Sequence, residues 1–448
     1  MNYEELAVQI VAEARRAGAA EADVYLQAAT DFNVEIRKGQ VEKLTQAGSK
    51  ALGLRVFKDK RMGFASTSDF SPTALSQLIA RALTLAEVAD RREENGLPDI
   101  ASTPSLPDLH LYDPQIATIP TEQKIAMARS CEEAAFRTDP RITNSEGAGF
   151  GSGTTYTVLA NSNGFVGSYH SSGCSVYCQP LAEEEGKKQV DYEWAFARSL
   201  ADLESPEEVG QRAAQRVLRK LGARKVPTQH APVVFERRVA ARLWAQVAAA
   251  LDGDRVHKGM SFLKDCLGES IATPQVTLID DGTLPGGVGS APFDGDGLPT
   301  QRNVLIEAGV LRMFLYDTET ARKVGGGARS THNARRSPGS VPGIGTFNLF
   351  LAAGSLTPEE IIQQISRGFF VTDLMGTGAN LVTGDYSTGA SGLWIENGEL
   401  AYPVEEVTIA STVLHMLQGI ERVGTDLAFQ TSVASPTFQV AEMTISGL

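Results

Sequence analysis

Apolar residues recur at two periods along this chain, and the alternation between those periods divides it into units. Val239, Leu243, Val247 and Leu251 recur every four residues through "LWAQVAAALDGDR", with Arg238 and Arg242 on another face, which predicts a helix. Gly253 stands where a left-handed residue would stop it. Phe32, Val34 and Ile36 alternate with Asn33, Glu35 and Arg37, the period of a half-exposed antiparallel strand. Before that strand, "MNYEELAVQIVAEARRAG" reads as an acidic amphipathic helix ending at Gly18. After it, "SPTALSQLIARALTLAEVA" reads as a second helix, with Ser71 as N-cap and Pro72 in its first turn.

Prolines 98, 104, 107, 114 and 120 then interrupt any regular period, marking a linker. The pattern resumes with a helix over Thr121 to Arg137 and strands through "TTYTVLANSNGFVGSYHSSGCSVYCQP", where Asn163-Gly164 predicts a hairpin turn. A helix opening at "SPEEV" follows, with Ser205 as cap, Pro206 at its first position, Glu208 completing a capping box and Gly222 at its end. Helix, antiparallel strands and helix thus occur in that order twice. The remainder holds the Leu243 helix, a glycine-rich passage, a hairpin in "NVLIEAGVLRMFLY", an irregular loop "VGGGARSTHNARRSPGSVPG", a helix capped by Thr357 and Glu360, and a strand-rich end. The fold class is therefore mixed α/β (α+β), with two helix-strand-helix units followed by a β-rich C-terminal domain. The expected domains are an N-terminal α/β domain over 1–110 with the proline-rich linker at its end, a central α/β domain over 111–228, and the β-rich domain over 229–448.

Composition narrows the function. With 448 residues, 42% hydrophobic and 21% charged, the chain can bury a core in each of about three domains. A net charge of -13 argues against a broad affinity for nucleic acid, which needs clustered positive surface. No apolar run reaches the length of a membrane span, and the opening helix is no signal peptide, so a cytoplasmic location is expected. The four cysteines, Cys131, Cys174, Cys178 and Cys266, form no Cys-x-x-Cys pair and are expected to be reduced thiols, with Cys174 and Cys178 sharing a strand face.

Simple catalytic signatures are absent. The six histidines are His110, His170, His230, His257, His332 and His415, and the closest two are 27 residues apart, so no His-Glu-x-x-His helix exists. Asp294 and Asp296 in "FDGDG" hint at calcium, but no glutamate closes a ligand loop and a turn is the better reading. The glycines beside Arg329, Arg335 and Arg336 could cradle an anion or form a surface loop. "TGDYSTGAS" offers Asp385, Tyr386 and Ser387 as candidate substrate-binding residues, without a nucleophile elbow or a neighbouring histidine.

Three longer passages carry more: "DGDRVHKGMSFLKDCLGESI", "FDGDGLPTQRNVLIEAGVL" and "LVTGDYSTGASGLWIENGELAYPVEEVTIA". Together with "VEIRKGQVEKL" and "GLRVFKDKRMGFAST", they make the chain resemble the TldD/PmbA family. The TldD branch of that family holds a catalytic zinc with His-Glu-x-x-x-His on a helix, an acidic-glycine passage after it and a cysteine near the C-terminus. Matching "LDGD" to that passage places the first histidine on Trp244, the glutamate on Ala245 and the second histidine on Ala249, and no cysteine follows Cys266. The resemblance is thus to the PmbA (TldE) branch. It implies a noncatalytic subunit without a metal or cofactor of its own, in a dimeric metalloprotease whose zinc belongs to a TldD-like partner and whose substrates are unfolded peptides and small unstable proteins. It further implies a homodimer when the chain is alone. Two other readings stay open: a peptide-binding or chaperone-like homodimer acting without TldD, to which the family's older description as a modulator of DNA gyrase belongs, and an enzyme using "TGDYSTGAS" for unrelated chemistry.

Overall fold

The two helix-strand-helix units merge into one sheet in the computed structural model, which describes residues 2–99 and 105–447. In the first unit, α1 (Tyr3–Arg16) precedes β1 (Glu21–Arg37), β2 (Gln40–Lys58) and β3 (Arg61–Thr67), and α2 (Pro72–Val88) closes it. The second runs α3 (Thr121–Thr138), β4 (Ile142–Asn161), β5 (Val166–Glu184), β6 (Lys187–Val190), β7 (Glu193–Ala197) and α4 (Pro206–Leu218). Because β1 pairs antiparallel with β4, the strand order is β3-β2-β1-β4-β5-β6, with β7 also on β5. The sequence of β1 explains how both units use it. Ala22, Val24 and Leu26 lie buried under α1 and α2, while Phe32, Val34 and Ile36, on the same face by the two-residue period, lie under α3 and α4.

Local signals decide the helix ends unevenly. The Ser71 side chain accepts from the Ala74 amide, as a cap should, and the β4–β5 connection falls at Asn163-Gly164, with Gly164 at φ 94°. The capping box expected at Ser205 does not form, because its hydroxyl donates to the Glu207 carboxylate at 2.9 Å instead of accepting from the helix backbone. That helix also stops at Leu218, leaving Gly222 in the turn beyond it. Within the proline-rich passage, Leu97, Leu109, Leu111 and Ile116 are buried; Pro104 lies outside the described residues.

The third unit begins with β8 (Gln229–Phe235), α5 (Arg237–Ala250) and α6 (Gly253–His257). Next come β9 (Leu278–Asp281), β10 (Arg302–Glu307), β11 (Val310–Leu311), α7 (Thr318–Val324), β12 (Ala334–Arg335), β13 (Gly343–Ile344) and β14 (Leu349–Leu351). The chain continues through α8 (Pro358–Gln363), β15 (Arg367–Ala379), β16 (Asp385–Glu396), β17 (Glu399–Thr412), α9 (Val413–Gln418), β18 (Ile420–Val423), β19 (Val433–Ala434) and β20 (Phe438–Ser446). β20 pairs with β8 on one side and β17 on the other, so β8, β15, β16, β17 and β20 close into a barrel. A smaller sheet runs β11-β10-β9-β14-β19. Leu243, Trp244 and Val247 of α5 share one core with Val233, Phe235, Phe369 and Phe438 of the barrel and with Leu278, Leu305 and Leu349 of the smaller sheet.

Gly253 does not terminate α5 in a left-handed conformation. The helix ends at Leu251 with φ -87°, and Gly253 instead opens α6. Its lack of a side chain serves packing: a Cβ there would lie 2.3 Å from the Tyr316 ring and 2.7 Å from the Leu315 carbonyl.

Charge ties the N-terminal sheet to the third unit. Arg55 of β2 is buried between Asp23 of β1, with Nε at 2.8 Å, and Asp296, at 3.0 Å, while Arg336 reaches Asp23 at 2.9 Å. Burial alone would raise the Asp23 pKa, but Arg336 and Arg55 outweigh it and hold the carboxyl below its usual range.

Candidate functional site

The positions matched to the zinc helix lie on α5, whose entry is fixed by charge. Glu236, at the N-cap, receives Arg216 at 2.9 Å and Arg219 at 3.0 Å from the α4 end of the central unit. Burial would push its pKa up, yet the two arginines prevail and keep it low, so this carboxylate is an anchor rather than a proton carrier. Eight residues on, Trp244 is buried. Its indole N–H donates to the Ser435 hydroxyl at 3.1 Å, and its ring meets Phe438 edge-on with centroids 5.8 Å apart.

Ala245 is exposed and Ala249 half-buried, on a different side of the helix from Trp244. Positions five apart on a regular helix diverge by about 140°, so Trp244 and Ala249 do not converge. Arg242 and Gln246 occupy the outer surface and hold the end of β15. Arg242 donates to the Leu374 carbonyl at 2.5 Å and the Gly376 carbonyl at 2.6 Å, and Gln246 donates to the Thr377 carbonyl while accepting from the Ala379 amide at 3.0 Å. An indole packed in the core and two methyl groups provide no lone pair for a zinc ion and no general base. The residues present therefore do not fit that metal, and no step through it is derived for this chain.

The other candidates are dispersed. Asp385 and Ser387 are exposed on one face of β16, while Tyr386, between them, points into the core, where burial pushes its hydroxyl up to about 12. The structure thus brings two of the three together, with Thr383 donating to Asp385 at 2.6 Å. His110, His170, His230, His257 and His415 are exposed, and Nδ1 of His332 lies 2.5 Å from the Pro299 carbonyl oxygen. Cys174 and Cys178 do share the buried face of β5, and Cys131 packs against Cys178 from α3. The Cys178 contact, followed by burial, raises the Cys131 thiol far above its ordinary range, and burial raises Cys174 to about 12. Such thiols stay protonated and are poor nucleophiles or ligands.

"FDGDG" forms a turn: Asp294 accepts from the amides of Asp296, Leu298 and Ala334 inside the protein. The anion cradle suggested for Arg329, Arg335 and Arg336 is not assembled. Arg336 is committed to Asp23, Arg335 lies over the Phe347 ring at 4.5 Å, and Arg329 is exposed. Long-range partners, rather than the local glycines, direct these side chains.

The sequence reading passed over a cleft of about 220 Å³ at the start of α5, bounded by the β6–β7 segment, β15 and the loop before β20. Arg237, Arg238 and Arg242 line it with Tyr192, Trp194 and Thr431. The "ERRVAAR" run was the available signal, although most of the cleft comes from segments far away in sequence.

An N-terminal α/β sheet is joined to a closed barrel, with α5 packed between the barrel and the small sheet, and this architecture together with its sequence is metallopeptidase-like. Family models for the PmbA/TldA metallopeptidase domain 1, central domain and C-terminal domain match residues 22–86, 114–221 and 228–447. The chain belongs to the PmbA/TldD family, in its PmbA (TldE) branch. It is 35% identical over 427 residues to Metalloprotease PmbA of Escherichia coli O157:H7, covering 95% of this chain and 92% of that protein. A Bacteroides thetaiotaomicron structure described as a candidate modulator of DNA gyrase superposes with a TM-score of 0.91 at 28% identity, covering 99% of each chain. TldE from Thermococcus kodakarensis shares the fold, with a TM-score of 0.89 at 22% identity over 98% of this chain and 99% of that one.

Proposed function

We propose that this chain is the noncatalytic subunit of a TldD/TldE-type metalloprotease that acts in the cytoplasm on unfolded peptides and small unstable proteins. The observation that supports this reading is α5: the positions that the family resemblance matches to the zinc ligands and base of the TldD branch hold Trp244, Ala245 and Ala249, and Trp244 is locked to Ser435 and Phe438 inside the core. A side chain so placed has a packing role. Zinc, the water it activates and the general base then belong to a TldD-like partner. This chain contributes the second wall of the complex and a surface for extended peptide. Its acidic balance favours neither nucleic acid nor a membrane surface as partner. Among the described residues, no helix is long and apolar enough to cross a membrane.

Co-purification with a TldD-like chain, followed by peptidase assays on each chain and on the mixture, tests the proposal. The expected result is a stable complex whose cleavage of an unfolded peptide is chelator-sensitive, with no cleavage by this chain alone. Alone, it should hold no stoichiometric zinc by elemental analysis and run as a homodimer in light scattering. Chelator-sensitive cleavage by the isolated chain would overturn the noncatalytic role. Peptide protection from aggregation without any TldD-like binding would favour the chaperone-like homodimer.

A further inference from the structure

The cleft at the start of α5 is lined by three arginines, and the fold leaves part of their positive charge unpaired. Arg238 is fixed from two sides: its guanidinium lies over the Tyr192 ring at 4.3 Å, and Nη1 donates to the Tyr192 carbonyl at 2.9 Å. Arg242 is fixed by the Leu374 and Gly376 carbonyls, which hold it in place without cancelling its charge. Arg237 is half-buried in the same wall and has no hydrogen bond or ion pair among the described residues. Two acids also line the cleft, but Asp191 is engaged by Lys220 at 3.0 Å, and Asp373 lies 3.6 Å from the same ammonium. Glu193, 3.6 Å from Arg238, balances part of that charge, which leaves Arg237 and Arg242 as the guanidinium groups without an acidic partner among the described residues.

We propose that this cleft is a carboxylate-binding site, taking the free C-terminal carboxylate of an extended peptide, with Arg237 as its principal contact. The inference rests on the peptide reading above and gives it a ligand polarity. A planar guanidinium with all its donors available matches a carboxylate through two parallel hydrogen bonds. Arg238 and Arg242, already oriented, add attraction without losing further side-chain freedom. The volume of about 220 Å³ lies below the roughly 300–1,000 Å³ of pockets that enclose a drug-sized ligand, so it suits a chain end rather than a whole peptide.

Trp194 lines the cleft while Trp244 and Trp394 are buried, so indole fluorescence reports on its occupancy. The probe is a ten-residue unstructured peptide without acidic or aromatic residues, as the free acid and as the C-terminal amide, titrated into the full chain. The amide should bind at least tenfold more weakly, and added NaCl should weaken the free acid. Arg237→Ala should weaken the free acid at least tenfold while leaving the amide unchanged, with Arg237→Lys recovering part of the loss. Because Arg237 makes no polar contact in the fold, circular dichroism of these variants should match the parent. Equal affinity of the two peptide forms, no binding of either, or indifference to Arg237→Ala overturns the site. The subunit reading is judged separately: cleavage by the mixture with a TldD-like chain survives loss of this site, and an inert mixture leaves the difference between acid and amide standing.

Discussion

At the scale of single residues, α5 is a packing helix: Trp244 fills the core, while Ala245 and Ala249 lie away from it. Restoring the ligand types with Trp244→His, Ala245→Glu and Ala249→His should give no chelator-sensitive cleavage by the isolated chain in a peptidase assay, since position 244 faces the core and position 249 does not share its direction. Losing the buried indole should also cost about 3 kcal/mol in urea unfolding. Asp280 is a second residue whose environment sets its behaviour. Burial is the largest influence on it and raises its pKa to about 6, although it accepts from Asn333 Nδ2 at 2.6 Å and from the Phe347 amide at 2.7 Å. Between the ordinary 3.8 and about 6, the folded state keeps a proton that the unfolded state releases. The contribution of this group to stability therefore falls as pH rises through that window. Carboxyl NMR should place its midpoint near pH 6, and a midpoint near 4 would contradict the burial argument.

Elements were legible in the sequence wherever their signals are local. Thr357 and Glu360 form the full reciprocal capping box, with the Thr357 amide donating to Glu360 at 2.8 Å and the Glu360 amide donating to Thr357 at 3.2 Å. Ser205 looks equivalent in the sequence, but Glu207 captures its hydroxyl. Thr357→Ala should accordingly cost about 1 kcal/mol in chemical denaturation, while Ser205→Ala should cost clearly less. Gly253 was misread because the reason for a glycine there is Tyr316, which no local pattern reveals. The alternation in "GDYSTG" did contain the split between Tyr386 and its two neighbours, once the passage is recognised as a strand. Arg335 and Arg336 were unreadable for the same reason as Gly253: the carboxylate that claims Arg336 is Asp23, at the opposite end of the sequence.

At the scale of the whole molecule, Arg55 joins the sheet to the third unit. Arg55→Met keeps much of the side-chain volume but leaves Asp23 and Asp296 short of a buried cation. Breaking such a pair typically costs about 3–5 kcal/mol, so the variant should melt well below the parent in calorimetry. The stabilisation from Asp23, whose folded pKa is depressed, is present above its ordinary pKa of 3.8 and disappears as pH falls through the lower, folded value. Repetition of the helix-strand-helix order was visible in the sequence, and so was the β-rich end. Barrel closure was not, because it depends on one strand finding two partners across the domain.

That closure also sets an order of events during synthesis. β8 leaves the ribosome early in the third unit, yet both of its neighbours, β15 and β20, are made much later. Until β20 emerges, β8 lacks one of its two neighbours and Trp244 lacks Phe438, so a nascent chain carries apolar surface with no place to bury it. The third unit therefore cannot close its barrel before β20 has been made, and its newly made form should depend on holding chaperones until then, whereas the sheet built on β1 and β4 can be complete while the third unit is still being synthesised.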